Sequence, residues 1–169
     1  MNKDTVDDIL DQWSEERPEL DTASLGVVIR VMTLYRTFLR QATKALGPID
    51  LELWEYDVLS ALRRQGRPFA LPATRLARET DLSSGAMTNR IDRLTDRGFV
   101  RRRSDKSDRR SVIVILTAEG QRVIDEAIQV RLNAAQESLQ GLSARKQEQL
   151  ADLLRAIVLN SKNNNRDAG

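Results

Sequence analysis

Apolar positions recur along most of this chain at spacings of three and four, the period of helices buried on one face. Val6, Ile9, Leu10 and Trp13 predict a short helix over residues 5–16, stopped before Pro18, whose narrow apolar face needs a surface to dock on. Asp21 or Thr22 is placed to cap a long helix with the stripe Leu25, Val28, Ile29, Met32, Tyr35, Leu39, Ala42 and Leu46, ended by Gly47 and Pro48. Asp50 is expected to cap a third helix over residues 51–64, closed at Gly66. Towards the other end, a helix opens at Thr117 and runs to about residue 140. Gly141 breaks it, and Ser143 caps a last helix with the stripe Leu150, Leu153, Leu154, Ile157 and Val158. From Asn160 the sequence is polar, and a frayed tail is expected, flexible over residues 163–169.

The centre changes character. Residues 69–71 read as a short extended piece, Pro72 opens a helix of barely two turns over residues 73–80, and residues 81–83 form a turn. Ser83 or Ser84 then caps a helix that runs to Arg97 and is stopped by Gly98, so that two short helices flank a tight turn in the manner of a helix-turn-helix. Residues 99–103 and 112–116 follow as strands around a polar turn, a β-hairpin with Arg109 and Arg110 at its tip. The expected fold is mainly α with a small β-hairpin wing. A winged helix-turn-helix lobe occupies residues 51–116, an extra helix residues 1–20, and a helical dimerisation region residues 21–50 and 117–162. The long terminal helices imply a partner, because their apolar stripes exceed what one small lobe can cover.

Composition narrows the chemistry. The 169 residues are 40% hydrophobic but only 4% aromatic, which implies a core of Leu, Ile, Val and Ala in a single α-rich domain. The chain has no Cys and no His, which removes disulfides, zinc and iron–sulfur sites, Ser-His-Asp and Cys-His catalysis and thiol redox sensing. No cofactor or metal is expected, and with neither a carboxylate pair nor a Gly-rich phosphate loop in evidence, no enzyme. The longest apolar run, residues 112–116, is too short to cross a bilayer, and the N-terminus is acidic where a signal peptide is basic. A cytoplasmic protein without membrane contact is expected.

Charge is distributed unevenly behind a formal net charge of +2. Residues 1–22 hold eight acids against two bases, whereas residues 86–110 hold nine bases against four acids. A local basic block of this kind is the electrostatic footprint of nucleic-acid binding. On the helix from Ser84 to Arg97, Met87, Ile91 and Leu94 gather on one side, which turns Gly85, Thr88, Asn89, Asp92, Arg93 and Asp96 outward. Asn89 and Arg93 can read base edges, Gly85 and Thr88 allow close approach, and Ser83 and Ser84 beside the free amides of the first turn suit a phosphate. An ordinary amphipathic helix has the same polar outer face. The hairpin directly after it favours DNA, with the helix in the major groove and the wing in the minor groove. Asp57, on the edge of an apolar stripe, needs a cation, and Arg90 points sideways from the groove face, so a pair between them is expected to tie the two helices together.

The residues also resemble a known family. Leu76-Ala-Arg-Glu-Thr-Asp-Leu, then Asn89-Arg-Ile-Asp-Arg-Leu-Thr-Asp-Arg-Gly-Phe-Val-Arg-Arg, Ser107-Asp-Arg-Arg-Ser and Leu116-Thr-Ala-Glu-Gly resemble the MarR family of bacterial transcriptional regulators across roughly residues 25–160. The resemblance implies a homodimer with interlocked terminal helices, each winged helix gripping half of a palindromic operator in double-stranded DNA. Asp108 would orient Arg110, which enters the minor groove. The absent cysteines set aside the peroxide-sensing branch. The acidic first helix with Trp13, together with Asp57, Arg90 and Arg102, is similar to the urate-responsive branch, which implies that Trp13 and Arg102 hold an anionic purine while Asp57 and Arg90 couple that site to the DNA-reading helix. Trp13 as a docking anchor for the extra helix is an alternative, as are phenolic acids or carboxylates as the anionic aromatic ligand. The expected function is a ligand-released repressor; the competing one is a winged-helix module for protein contacts or non-specific DNA packaging, with no effector.

Overall fold

The computed structural model describes residues 3–104 and 111–167, with side chains as far as Ser161. In chain order the elements are α1 (Thr5–Glu16), α2 (Ala23–Leu46), a 3-10 turn (Gly47–Ile49), α3 (Leu53–Arg63), β1 (Ala70–Pro72), α4 (Ala73–Glu79), α5 (Ser84–Asp96), β2 (Val100–Ser104), β3 (Val112–Leu116), α6 (Ala118–Ser138) and α7 (Ala144–Asp167). They divide into two units, residues 1–131 and 132–169.

In the first unit α3 is the centre of the core. Val58, Leu59, Ala61 and Leu62 are fully buried, packed in one cluster with Leu46 of α2, Leu76 of α4, Met87, Ile91 and Leu94 of α5, Val114 of β3 and Ile124 of α6. Each of the Leu, Ile, Val and Met side chains contributes on the order of 2 kcal/mol by leaving water. The strands form a three-stranded antiparallel sheet in the order β1-β3-β2, with Leu71 opposite Val114 and Arg102 opposite Val114 on the other side. The expected hairpin is there, and the extended piece before α4 extends it into a sheet. β3 is central because Val-Ile-Val-Ile-Leu is apolar along its whole length and β-branched at all but the last position, which suits a strand paired on both edges.

One expected cap is corrected. Asp50 does not open α3: it ends the 3-10 turn in the left-handed region at φ 51°, and α3 begins after Glu52, whose N–H is accepted by Glu55 Oε2 at 2.9 Å. Asp tolerates that backbone conformation, and the position lets Leu51 turn into the core.

The first helix finds its docking surface on α2. Asp4 caps α1, accepting from Val6 N at 2.9 Å and Asp7 N at 3.0 Å, and Arg30 of α2 donates to Asp4 Oδ2 at 2.9 Å and Asp7 Oδ1 at 2.6 Å. Those bonds from Arg30 hold the Asp4 carboxyl below its ordinary range. A Cβ on Gly26 would stand 2.7 Å from Leu10 Cδ1, so glycine there lets the two helices close. The stripe of α2 behaves differently along its length: Ala42 and Leu46 are buried, whereas Leu25, Val28, Met32, Tyr35 and Leu39 are exposed, Tyr35 by 64%.

The second unit is the end of α6, a turn at residues 139–143 and α7. Gln147 Nε2 closes the turn by donating to Leu139 O at 3.2 Å and Leu142 O at 3.0 Å. The stripe Leu153, Leu154, Ile157 and Val158 is exposed. α7 continues to Asp167, where a frayed polar tail was expected from Asn160; no Pro or Gly interrupts that run before Gly169.

Candidate nucleic-acid interface

The helical period sets which face of α5 meets solvent. Met87, Ile91 and Leu94 are at most 2% exposed, and Ser83, Ser84, Gly85, Thr88, Asn89, Asp92, Arg93 and Asp96 all lie on the exposed side. Ser83 caps the helix, its Oγ accepting from Ala86 N at 3.3 Å, and Thr88 Oγ1 donates back to Ser84 O at 3.0 Å. A Cβ at Gly85 would meet nothing within 4 Å, so the space in front of the first turn is open. Beside the helix, β2 exposes Arg101, Arg102 and Arg103, and Arg102 is ion-paired with Asp92. Asp108, Arg109 and Arg110, expected at the tip of the wing, lie outside the described residues.

The opposite flank of α5 carries a ladder of arginines at Arg90, Arg93 and Arg97, spaced so that all three leave one side of the helix. The segment that opens α3 faces them. Trp54 lies under two guanidinium groups, Arg90 at 5.1 Å and Arg93 at 4.7 Å from the ring centre, a cation–π arrangement. Glu52 is held at both oxygens, by Trp54 Nε1 at 2.7 Å and by Arg93 Nη2 at 2.7 Å. Arg97 donates to Glu55 Oε2 at 2.6 Å and to Asp50 O and Oδ2 at 2.7 and 2.9 Å. Glu55 is fully buried, and its Oε1 has no hydrogen-bond partner among the described residues. Sequence reasoning missed Glu52, Trp54, Glu55 and Arg97; the ladder spacing of the arginines was visible, but the acids that answer it are some forty residues away.

The expected pair between Asp57 and Arg90 does not form: Arg90 stacks on Trp54 instead. Asp57 has no ion-pair partner within 4 Å among the described residues, and loss of solvent around it raises its carboxyl above the ordinary range, opposed by the charges of Arg131, Arg90 and Arg64 in that order. Arg131 lies over the Tyr56 ring at 5.6 Å with a buried Nε that has no hydrogen-bond partner among the described residues. Asp57 and Arg90 thus share one electrostatic neighbourhood. Arg102 is engaged on the other flank of α5, and Trp13 is 44% exposed on α1.

Comparison with known proteins bears on the whole arrangement. Residues 49–111 match the model of the MarR family. The HTH-type transcriptional regulator PecS of Dickeya dadantii (strain 3937) is 30% identical over 159 residues, covering 94% of this chain and 96% of that protein. The chain belongs to the MarR family. Among solved structures, AbsC, a MarR family transcriptional regulator from Streptomyces coelicolor, shares the fold with a TM-score of 0.77 at 21% identity, over 85% of this chain and 97% of that one. A mutant MarR from E. coli, complexed with operator DNA, superimposes with a TM-score of 0.69 at 25% identity, over 86% of this chain and 96% of that one.

This member of the MarR family is therefore a DNA-binding transcriptional regulator, not an enzyme. The Leu-Thr-x-x-Gly part of its signature acquires a physical reason. Thr117 Oγ1 accepts from Gly120 N at 3.0 Å to cap α6 while donating to Gly98 O at 2.7 Å, and a Cβ on Gly120 would lie 2.0 Å from Phe99 O. The MarR motif thus seats the start of α6 directly on the corner between α5 and β2. Among the described residues no helix is long and apolar enough to cross a membrane.

Proposed function

We propose that the chain is a cytoplasmic repressor that binds a palindromic operator as a homodimer and is released by a small anionic aromatic ligand, urate or a related purine. Ser83, Ser84, Gly85, Thr88, Asn89 and Arg93 meet the major groove, and the wing with Arg109 and Arg110 reaches the minor groove, Asp108 orienting Arg110. The observation that carries the ligand part is the neighbourhood of Asp57, where three guanidinium groups act on one carboxylate and none closes an ion pair with it. Arg64 is already within 3.8 Å of Glu79, whereas Arg131 and Arg90 have no carboxylate within 4 Å among the described residues; such cations in a partly dry place suit an anion better than solvent does. The resemblance of Trp13, Asp57, Arg90 and Arg102 to the urate-responsive branch supports the same reading. The dimer rests on the exposed apolar stripe of α2, which a second copy would bury.

The test is a footprint and a binding titration on the DNA upstream of the gene, with and without urate. A single protected palindrome, and an affinity that urate lowers in wild type but not in Arg90→Ala or Arg102→Ala, is the expected result. Sequence-independent protection, indifferent to purines and aromatic acids alike, would replace this reading with that of a packaging module.

A further inference from the structure

The recognition helix α5 brings little free positive charge to DNA. Its exposed face includes Asp92 and Asp96, and the three arginines of its flank are occupied before DNA arrives: Arg90 on the Trp54 ring, Arg93 on the same ring and on Glu52, Arg97 on Glu55. Glu52 is not a loose surface acid. Trp54 Nε1 bonds one of its oxygens at 2.7 Å and leaves the other aimed at Arg93 Nη2, also at 2.7 Å. The indole bond first, and then Arg93, keep this carboxyl below its ordinary range, which favours its charged form.

A carboxylate and a phosphate ask the same thing of a guanidinium, charge-assisted hydrogen bonds along its planar edge. Both partners of the Arg93–Glu52 pair are more than half exposed, which makes the pair weak and exchangeable. The lower contact of the ladder is of another kind. Arg97 grips Glu55, which is fully buried, and cannot be surrendered without stranding that charge. One end of the ladder is thus fixed to α3 and the other is held by an exchangeable anion.

We propose that Glu52 is a built-in competitor for DNA phosphate: held in place by Trp54, its carboxylate occupies Arg93 until a backbone phosphate displaces it, which holds down the affinity of the lobe for duplex DNA of any sequence. Binding exchanges one ion pair for another: Arg93 still neutralises a phosphate and releases its counterion, but the contact is weakened by what it costs to part Arg93 from Glu52. Affinity that does not depend on sequence is the part a regulator must restrain to find its site, because non-specific duplex is in vast excess.

The experiment measures binding of the full chain to a random-sequence duplex over a range of salt. Glu52→Gln keeps an acceptor for Trp54 Nε1 and removes the charge. The expected result is binding tighter by about three- to fivefold, the scale of one exposed ion pair, with the slope of log affinity against log salt unchanged, because Arg93 neutralises a phosphate in both proteins. In an Arg93→Ala background the same substitution is expected to change neither quantity. Weaker binding in Glu52→Gln would mean that Glu52 positions Arg93 for DNA, and a gain that persists without Arg93 would mean simple repulsion between carboxylate and DNA; either overturns the proposal. A second measurement needs no change at Glu52. In Trp13→Phe protein Trp54 is the remaining tryptophan, and its emission should shift as duplex is added, because Arg93 leaves the ring. An emission that stays constant through saturation also overturns it.

Discussion

Arg93 and Arg97 leave the same flank of α5 and meet carboxylates from the same short segment, yet burial makes them different interactions. Arg93 and Glu52 both stand largely in water, where Coulomb attraction is screened and side-chain ordering offsets much of the rest. Arg97 meets a carboxylate with no exposure at all, and among the described residues Glu55 has only the Glu52 amide as a further donor. Urea denaturation should separate them: Arg93→Ala is expected to cost less than about 1 kcal/mol, and Arg97→Ala about 3 kcal/mol, because it leaves a buried charge unpaired. Equal losses would show that the position of Glu55 does not decide the energetics. Neither pair was legible in the sequence, since helical periodicity ranks positions on one helix and says nothing of which distant acid will stand opposite.

At the scale of elements, the junction of α5, β2 and α6 determines how α5 and the wing are presented together. Gly120 permits it: Phe99 O, C and Cα would lie within 2.0, 2.9 and 3.2 Å of a Cβ there, and all three are backbone. Backbone in a sheet corner cannot rotate aside as a side chain can. Gly120→Ala is expected to lower stability by about 1–3 kcal/mol and to weaken duplex binding, read by thermal unfolding and by titration with DNA. Gly141→Ala, where a Cβ meets nothing within 4 Å, should stay within about 0.5 kcal/mol of wild type. The motif Leu116-Thr-Ala-Glu-Gly was visible as a pattern, and its reason lay in an approach between residues 99 and 120. The same holds for β1: an extended piece at residues 69–71 could be read locally, but its pairing with β3 depends on a strand more than forty residues later.

For the molecule as a whole, the decisive quantity is apolar surface left in water. α2 in the first unit and α7 in the second each expose a row of large aliphatic side chains; such rows mark surfaces meant to be covered. Met32→Glu, near the middle of the α2 row, should convert a dimer in sedimentation to a monomer and reduce operator binding far more than it changes binding of a single half-site. A wild-type protein that sediments as a folded monomer would remove the dimer from the proposal. Much of this was determined by the sequence alone. The helices, the turn before Ser83, the buried trio Met87, Ile91 and Leu94, the basic stretch and the family resemblance all follow from residue type and spacing within a few turns of chain, because local backbone preference and the 3.6-residue period act over that range. Tertiary structure decided the rest. It set Glu52 rather than Asp50 as the start of α3, put Arg90 on Trp54 rather than Asp57, buried Glu55 beneath Arg97 and engaged Arg102 with Asp92. Charges choose partners by proximity and desolvation, and both exist only once elements far apart in the chain have packed.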